Sequence, residues 1–163
     1  LLGCREAIRV GAAQPAGRTL HVFCMDGAGA DGGATPRFAA YGATKRGVEQ
    51  LGKSLRAELR MQKVANVQVH ALSPGMVTTE LLMAGADNKL SRWFINALAE
   101  EPATVAAALV PRIRAVPAAE AALGPLAPLL GGAYVRFLTK PAAYGKIFRK
   151  LLGQGRDRFV SED

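Results

Sequence analysis

The chain has 163 residues, 50% hydrophobic and 21% charged, the composition of one ordinary globular domain, which excludes a largely disordered chain. No run approaches the ~18 uninterrupted apolar residues of a membrane-spanning helix, and no fixed period marks a solenoid. The net charge is +8, but aromatic residues make up only 6% and the cations are scattered, which argues against the stacking platform of a nucleic-acid binder. Cys4 and Cys24 lack a Cys-x-x-Cys spacing, give neither a disulfide framework nor a zinc knot, and fit a reducing compartment. The first residue, Leu1, already lies in a helical pattern rather than in a signal or transit peptide. We therefore read the sequence as a fragment, with targeting signals outside it.

Residues 1–12 are predicted helical, with Cys4, Ala7 and Ile8 on one face and Arg5, Glu6 and Arg9 on the other. Gln14-Pro15-Ala16-Gly17 breaks that helix. Thr19–Met25 is short, apolar and flanked by turn residues, like a strand covered on both faces of a parallel sheet. Asp26–Pro36 is a loop carrying Gly27, Gly29, Gly32 and Gly33. Its Gly27-x-Gly29-x-x-Gly32 spacing does not open directly into a helix, so it reads as flexible loop rather than phosphate cradle. A long helix follows over Phe38–Gln62, with Val48, Leu51, Leu55 and Leu59 on one stripe and Glu49 paired with Lys53 on the solvent side.

A second strand spans Val67–Leu72 and ends at Ser73-Pro74-Gly75; Met76–Leu98 is rich in large apolar groups. Pro102 suits the first turn of a helix carrying Val105, Leu109 and Ile113. Pro111 is expected to end or kink that helix near Val110. Residues 117–131 read as an Ala/Pro/Leu-rich connector, Tyr134–Thr139 as a third strand, Pro141–Leu152 as a short helix, and 154–163 as a loosely held polar tail. Strands alternating with helices of this length predict α/β architecture with a parallel sheet. Three strands make half of a doubly wound fold.

His21 and His70 lie in the predicted strands without a second ligand at a plausible spacing, and read as core or sheet-edge histidines. Cys24 reads as a small buried hydrophobe, and no His/Cys/Asp cluster suggests a metal.

The sharpest local feature is Tyr41-Gly42-Ala43-Thr44-Lys45. A spacing of four on a helix puts phenol and ammonium on one face, one turn apart. A free tyrosine titrates near pH ~10 and is a poor proton donor at neutral pH. A neighbouring cation favours the phenolate and makes proton exchange with a carbonyl oxygen feasible. Tyr134 and Tyr144 are followed four residues later by Leu138 and Phe148, so neither repeats the pair.

This pair opens a long helix after a strand and a glycine loop, and about thirty residues later a strand ends in Ser73-Pro74-Gly75-Met76-Val77-Thr78-Thr79. The combination resembles the second half of a short-chain dehydrogenase/reductase. The runs HVFCMDGAGADGGATPRFAAYGATKRGVEQL and VHALSPGMVTTELLMAG, with FINALAEEP, YVRFLT and FVSED, are similar to the chlorophyll b reductase family of plants and green algae within it. The resemblance covers most of the chain and is weakest over 117–131.

The resemblance implies a Rossmann-type, doubly wound parallel sheet of which only the C-terminal half, an incomplete reductase domain, lies within residues 1–163. It implies that Tyr41 donates the proton while Lys45 tunes it and holds the nicotinamide ribose. The backbone at Pro74, Gly75 and Val77 would line the nicotinamide, with Thr79 near the carboxamide or pyrophosphate. The implied reaction reduces the 7-formyl group of chlorophyll b to hydroxymethyl with NADPH or NADH, without a metal, in the chloroplast stroma or at the thylakoid surface. A homo-oligomer, or a hetero-oligomer with a related reductase, is a further implication. Reduction of another carbonyl, or pigment binding without catalysis, are the alternatives.

Two departures stand out. The family serine about thirteen residues before the tyrosine is Ala28 here, and Gly27–Ala34 carries no hydroxyl; Asp26, Thr35 or a water are the candidate substitutes. The Gly-rich strand–turn–helix that holds a dinucleotide pyrophosphate is absent, as is the family's helix asparagine, so the fragment is not expected to turn over alone. Met76, Leu81, Leu82, Met83, Trp93 and Phe94 fall where this superfamily builds a substrate lid, and a flat macrocycle suits such surfaces. Tyr144, Ile147, Phe148, Leu151 and Leu152 form an apolar stripe opposite Lys146, Arg149 and Lys150, a pattern able to lie on an anionic membrane.

Overall fold

The computed structural model describes residues 2–15 and 17–162. In chain order the elements are α1 (Leu2–Ala12), β1 (Leu20–Met25), α2 (Ala39–Met61), β2 (Val67–Ser73), α3 (Glu80–Ala84), α4 (Lys89–Leu98), α5 (Pro102–Leu123), a 3-10 segment (Gly124–Leu129), β3 (Tyr134–Arg136) and α6 (Lys140–Leu151). They form two compact units, Leu1–Ser73 with Ile113–Val135, and Pro74–Arg112 with Arg136–Asp163.

The first unit is built on a three-stranded sheet of order β1-β2-β3. β1 and β2 run parallel, Leu20 opposite Val67 and Met25 opposite Leu72. Side chains alternate between the faces of a strand, so Val22 and Cys24 share a face with Val67 and Val69. On that face Ile8 of α1 and Leu55 and Leu59 of α2 close the core. Val67, Val69 and Leu59 are buried, each contributing about 1.5–3 kcal/mol. The opposite face carries His21 and His70, met by Glu120 of α5. Helices thus lie on both faces, the arrangement of a partial Rossmann fold. Coverage on both faces was expected of the first strand; β2 has it, whereas β1 is half-buried and lies at the sheet edge among the described residues. The Glu49–Lys53 pair forms as expected, at 3.3 Å.

α5 runs through Pro111 and Pro117 to Leu123, so no stop occurs near Val110, and within the Ala/Pro/Leu-rich connector residues 117–129 are helical. Each proline forfeits one backbone hydrogen bond and crowds the preceding turn. The alanine-rich sequence around them has the highest helix propensity available, and burial of Val105, Leu109 and Val116 offsets the loss. β3 stops at Arg136, not Thr139, because Thr139 caps α6 by accepting a hydrogen bond from the Ala142 N–H.

In the second unit, Thr79 and Asn88 cap α3 and α4. The C-terminal tail is not loosely held. Asn96, buried on α4, donates from Nδ2 to the Val160 carbonyl (2.7 Å) and to Glu162 (2.8 Å). Its Oδ1 accepts from the backbone N–H groups of Phe159 (2.7 Å) and Val160 (3.1 Å). α6 is fastened by its lysines. Lys146 pairs with Glu100 at 2.5 Å, and buried Lys150 binds Glu162 and the Gly155 carbonyl. Tyr144, Phe148, Leu151 and Leu152 stand exposed. The predicted helix is present, but two of its three solvent-side cations face inward.

Candidate active site

Tyr41 lies in the first turn of α2 and Lys45 one turn later, with Lys45 Nζ 5.6 Å from the Tyr41 ring centroid. Lys45 donates to the Met25 carbonyl at the end of β1 (3.3 Å). Both side chains lean over the backbone of Gly27, where a Cβ would fall 2.3 Å from Tyr41 Oη and 2.9 Å from Lys45 Cε. Only a glycine permits that approach. The loop lies equally close to the start of the helix: a Cβ on Gly42 would sit 2.1 Å from Thr35 Oγ1, and one on Gly29 2.8 Å from Gly42 Cα. Hydrogen bonds from Ala30 N to Gly27 O, from Gly32 N to Gly29 O and from Arg46 to Ala30 O fold the loop into turns. Tyr41 as a whole is 43% exposed, so the side chain is not sealed off from a reactant.

Both protein groups considered in place of the absent serine are engaged. Asp26 is buried and its carboxylate accepts a hydrogen bond from the Tyr134 hydroxyl. The Thr35 hydroxyl donates to the Phe38 carbonyl (3.1 Å) and faces Gly42. Ala28 offers no side-chain donor.

The other predicted site residues form a separate stretch in the second unit. Gly75 has φ +74°, and the segment behind it is held by a short parallel bridge between Val77 and Glu100. Thr78 N donates to Glu100 O and Glu100 N to Met76 O, both at 3.0 Å. Thr79 turns its hydroxyl oxygen to the Leu82 N–H (3.4 Å), so it serves first as a helix cap. Of the apolar groups assigned to a lid, Leu81 is 85% exposed, while Phe94 is partly exposed and stacks edge-on against Trp93 at 5.0 Å.

One constellation escaped the sequence reading. His21, His70 and Glu120 converge in the first unit, a grouping that sequence spacing did not indicate, while His70 is buried, as expected of a core histidine. His21 Nδ1 is 3.0 Å from His70 Nε2, and a Glu120 oxygen lies 3.6 Å from each Nδ1. The Ala133 N–H donates to His70 Nδ1 (3.0 Å), so the His70 proton sits on Nε2 and is donated to His21. Burial pushes His70 down to about 4, lowers His21 as well, and raises Glu120. An ion shared by the two imidazoles would need the Nε2 lone pair and therefore the proton on Nδ1, against the Ala133 N–H. The arrangement favours a hydrogen-bonded chain over a metal site. Its only trace in the sequence is that both strands carry a histidine, which without register points nowhere.

A family profile described as short chain dehydrogenase matches residues 2–90. Chlorophyll(ide) b reductase NOL, chloroplastic, of Arabidopsis thaliana is 54% identical over 164 residues, covering 100% of this chain and 44% of that protein. The protein of the same name from Oryza sativa subsp. japonica is 52% identical, covering 100% and 45%. Probable chlorophyll(ide) b reductase NYC1, chloroplastic, of the same rice is 46% identical over 128 residues, covering 78% of this chain and 24% of that protein. No solved structure matches. The chain therefore spans less than half the length of these curated relatives. With a family profile over more than half its residues and a Tyr-x-x-x-Lys helix turn set against the strand-end loop, the chain belongs to the short-chain dehydrogenase family.

Proposed function

We propose that this chain carries the proton-delivering part of a nicotinamide-dependent reductase that converts the 7-formyl group of chlorophyll b to hydroxymethyl. The observation that carries the reading is the convergence of Tyr41 Oη and the Lys45 stem over Gly27. The residues suit a reduced nicotinamide nucleotide, NADPH or NADH. Tyr41 is partly exposed, and Lys45 has N–H donors beyond the one given to Met25 O. When bound, such a nucleotide supplies a hydride to the formyl carbon. Tyr41 delivers its phenolic proton to the formyl oxygen, and Lys45 provides the compensating positive charge as that proton leaves. The Met25 carbonyl orients the ammonium. The backbone at Pro74, Gly75 and Val77 would line the nicotinamide, with Thr79 near the carboxamide or pyrophosphate.

The names of the relatives support chlorophyll b as substrate and the chloroplast as compartment. The reading also includes a peripheral contact with the thylakoid surface. Since Lys146 and Lys150 are spent on Glu100 and Glu162, that contact would be made by the exposed apolar side of α6. The test of the chemistry is Tyr41→Phe in the full-length protein. Formyl reduction should fall by at least ~10²-fold while binding of the reduced nucleotide is kept. A wild-type rate in that variant would sink the proposal, and a preference for small ketones over formyl-chlorophyll would move it to another carbonyl substrate.

A further inference from the structure

The two cysteines, twenty positions apart in the chain, meet. Cys4 Sγ on α1 lies 3.9 Å from Cys24 Sγ on β1, and both thiols are free and half-buried. The elements that carry them are already docked. Ile8, one turn after Cys4, packs on the core of the sheet. At Gly11, a further turn on, a Cβ would fall 2.7 Å from Val67 Cγ2, and the Gly11 carbonyl accepts from Asn66 Nδ2 at 2.9 Å. The sulfurs are therefore held as neighbours by the fold and have no search to make. A disulfide needs them at ~2.05 Å, so oxidation has to draw together two sulfurs that are already adjacent.

We propose that Cys4 and Cys24 are a reversible redox modification site, closed by a small-molecule disulfide such as glutathione disulfide into a bond that ties α1 to β1. The Cys4 thiolate attacks one sulfur of the reagent, its S–S bond breaks, and one reagent thiol leaves. Cys24 then loses its proton to solvent and attacks the Cys4 sulfur, releasing the second reagent thiol. Two protein thiols are oxidised and one disulfide is reduced to two thiols. Burial first, and then the neighbouring Cys4, push the Cys24 thiol up to about 11, so Cys4 is the entry point and closure by Cys24 is the slow step. Cys24 immediately precedes Met25, whose carbonyl holds Lys45, so the bond would fasten the strand end beneath that lysine.

The test needs no variant. The full chain is incubated with glutathione disulfide, denatured, and alkylated. Expected are the loss of both alkylatable thiols, a mass lower by ~2 Da, one peptide pair joined through Cys4 and Cys24, and full reversal by dithiothreitol. Two thiols still alkylated, glutathione adducts without the cross-linked pair, or disulfide-linked dimers would each overturn it. The readout is covalent, so it stands or falls separately from the reductase reading.

Discussion

Replacing Gly27 by alanine separates the chemistry of this chain from its stability. The added methyl carbon would begin 2.3 Å from Tyr41 Oη and 2.9 Å from Lys45 Cε. The phenol oxygen must retreat by roughly 1 Å to regain van der Waals separation, and a displacement of that size at a reacting atom costs about 10²-fold in rate. The fold loses little. The clashing atoms belong to side chains able to swing aside, and Gly27 is not among the glycines with positive φ, so alanine fits the backbone and even gains ~0.4–1 kcal/mol from a less flexible unfolded chain. Steady-state kcat/KM for the formyl substrate, measured on the full-length protein beside its thermal midpoint, should show the first falling about a hundredfold and the second unchanged or raised. Gly47→Ala is the control, because nothing lies within 4 Å of a Cβ there. If Gly27→Ala retains full activity, the phenol is not where the reaction occurs and the geometric reasoning fails.

Two further predictions concern stability. Asn96→Ala removes four hydrogen bonds to residues 159–162 and should cost about 2–4 kcal/mol in urea unfolding, with faster limited proteolysis near the tail; unaltered proteolysis would show that the tail is held by other means. His70, held down at about 4 chiefly by burial, is neutral when folded, while the unfolded chain takes up its proton near pH ~6.5. Its contribution to stability is therefore complete above that value and is lost as pH falls from there toward 4. The His70 Cε1 proton resonance should stay flat from pH ~7.5 to ~5, and a titration centred near 6.5 would contradict the buried chain.

The strands and long helices were legible because their patterns are local: the Val48–Leu59 stripe, the Thr19–Met25 run, and a Tyr and Lys one turn apart. The faces of β1 and β2 were not. Pairing His21 with His70, or Cys4 with Cys24, requires the parallel register and the position of α1, which no single segment encodes. Pro111 and Pro117 misled because a local breaker was set against a summed alanine propensity and against the burial of Val105, Leu109 and Val116. α6 was identified as amphipathic, yet amphipathicity does not say which side is inside. Glu100 and Glu162, 46 residues before Lys146 and 12 after Lys150, made that choice. For the site, sequence spacing supplied Tyr41 and Lys45, while the role of Gly27 as the floor beneath them became visible only in three dimensions.

A helix held by ammonium groups can be released by acid in a way that a leucine-packed helix cannot. Glu162 sits below the ordinary carboxylate range chiefly through its hydrogen bond from Lys150. At Glu100, burial pushes upward, but Lys146 and Arg158 outweigh it and leave the group lowered as well. Both carboxylates therefore grip fully above that range and let go as protons fill them below it. The valines of β2 contain nothing to protonate, but His70 among them does. Acidification should thus weaken the sheet first, as the unfolded chain claims the His70 proton, and release the C-terminal helix only once the pH drops beneath the carboxylate range, a disassembly in stages inscribed by which kind of atom does the holding.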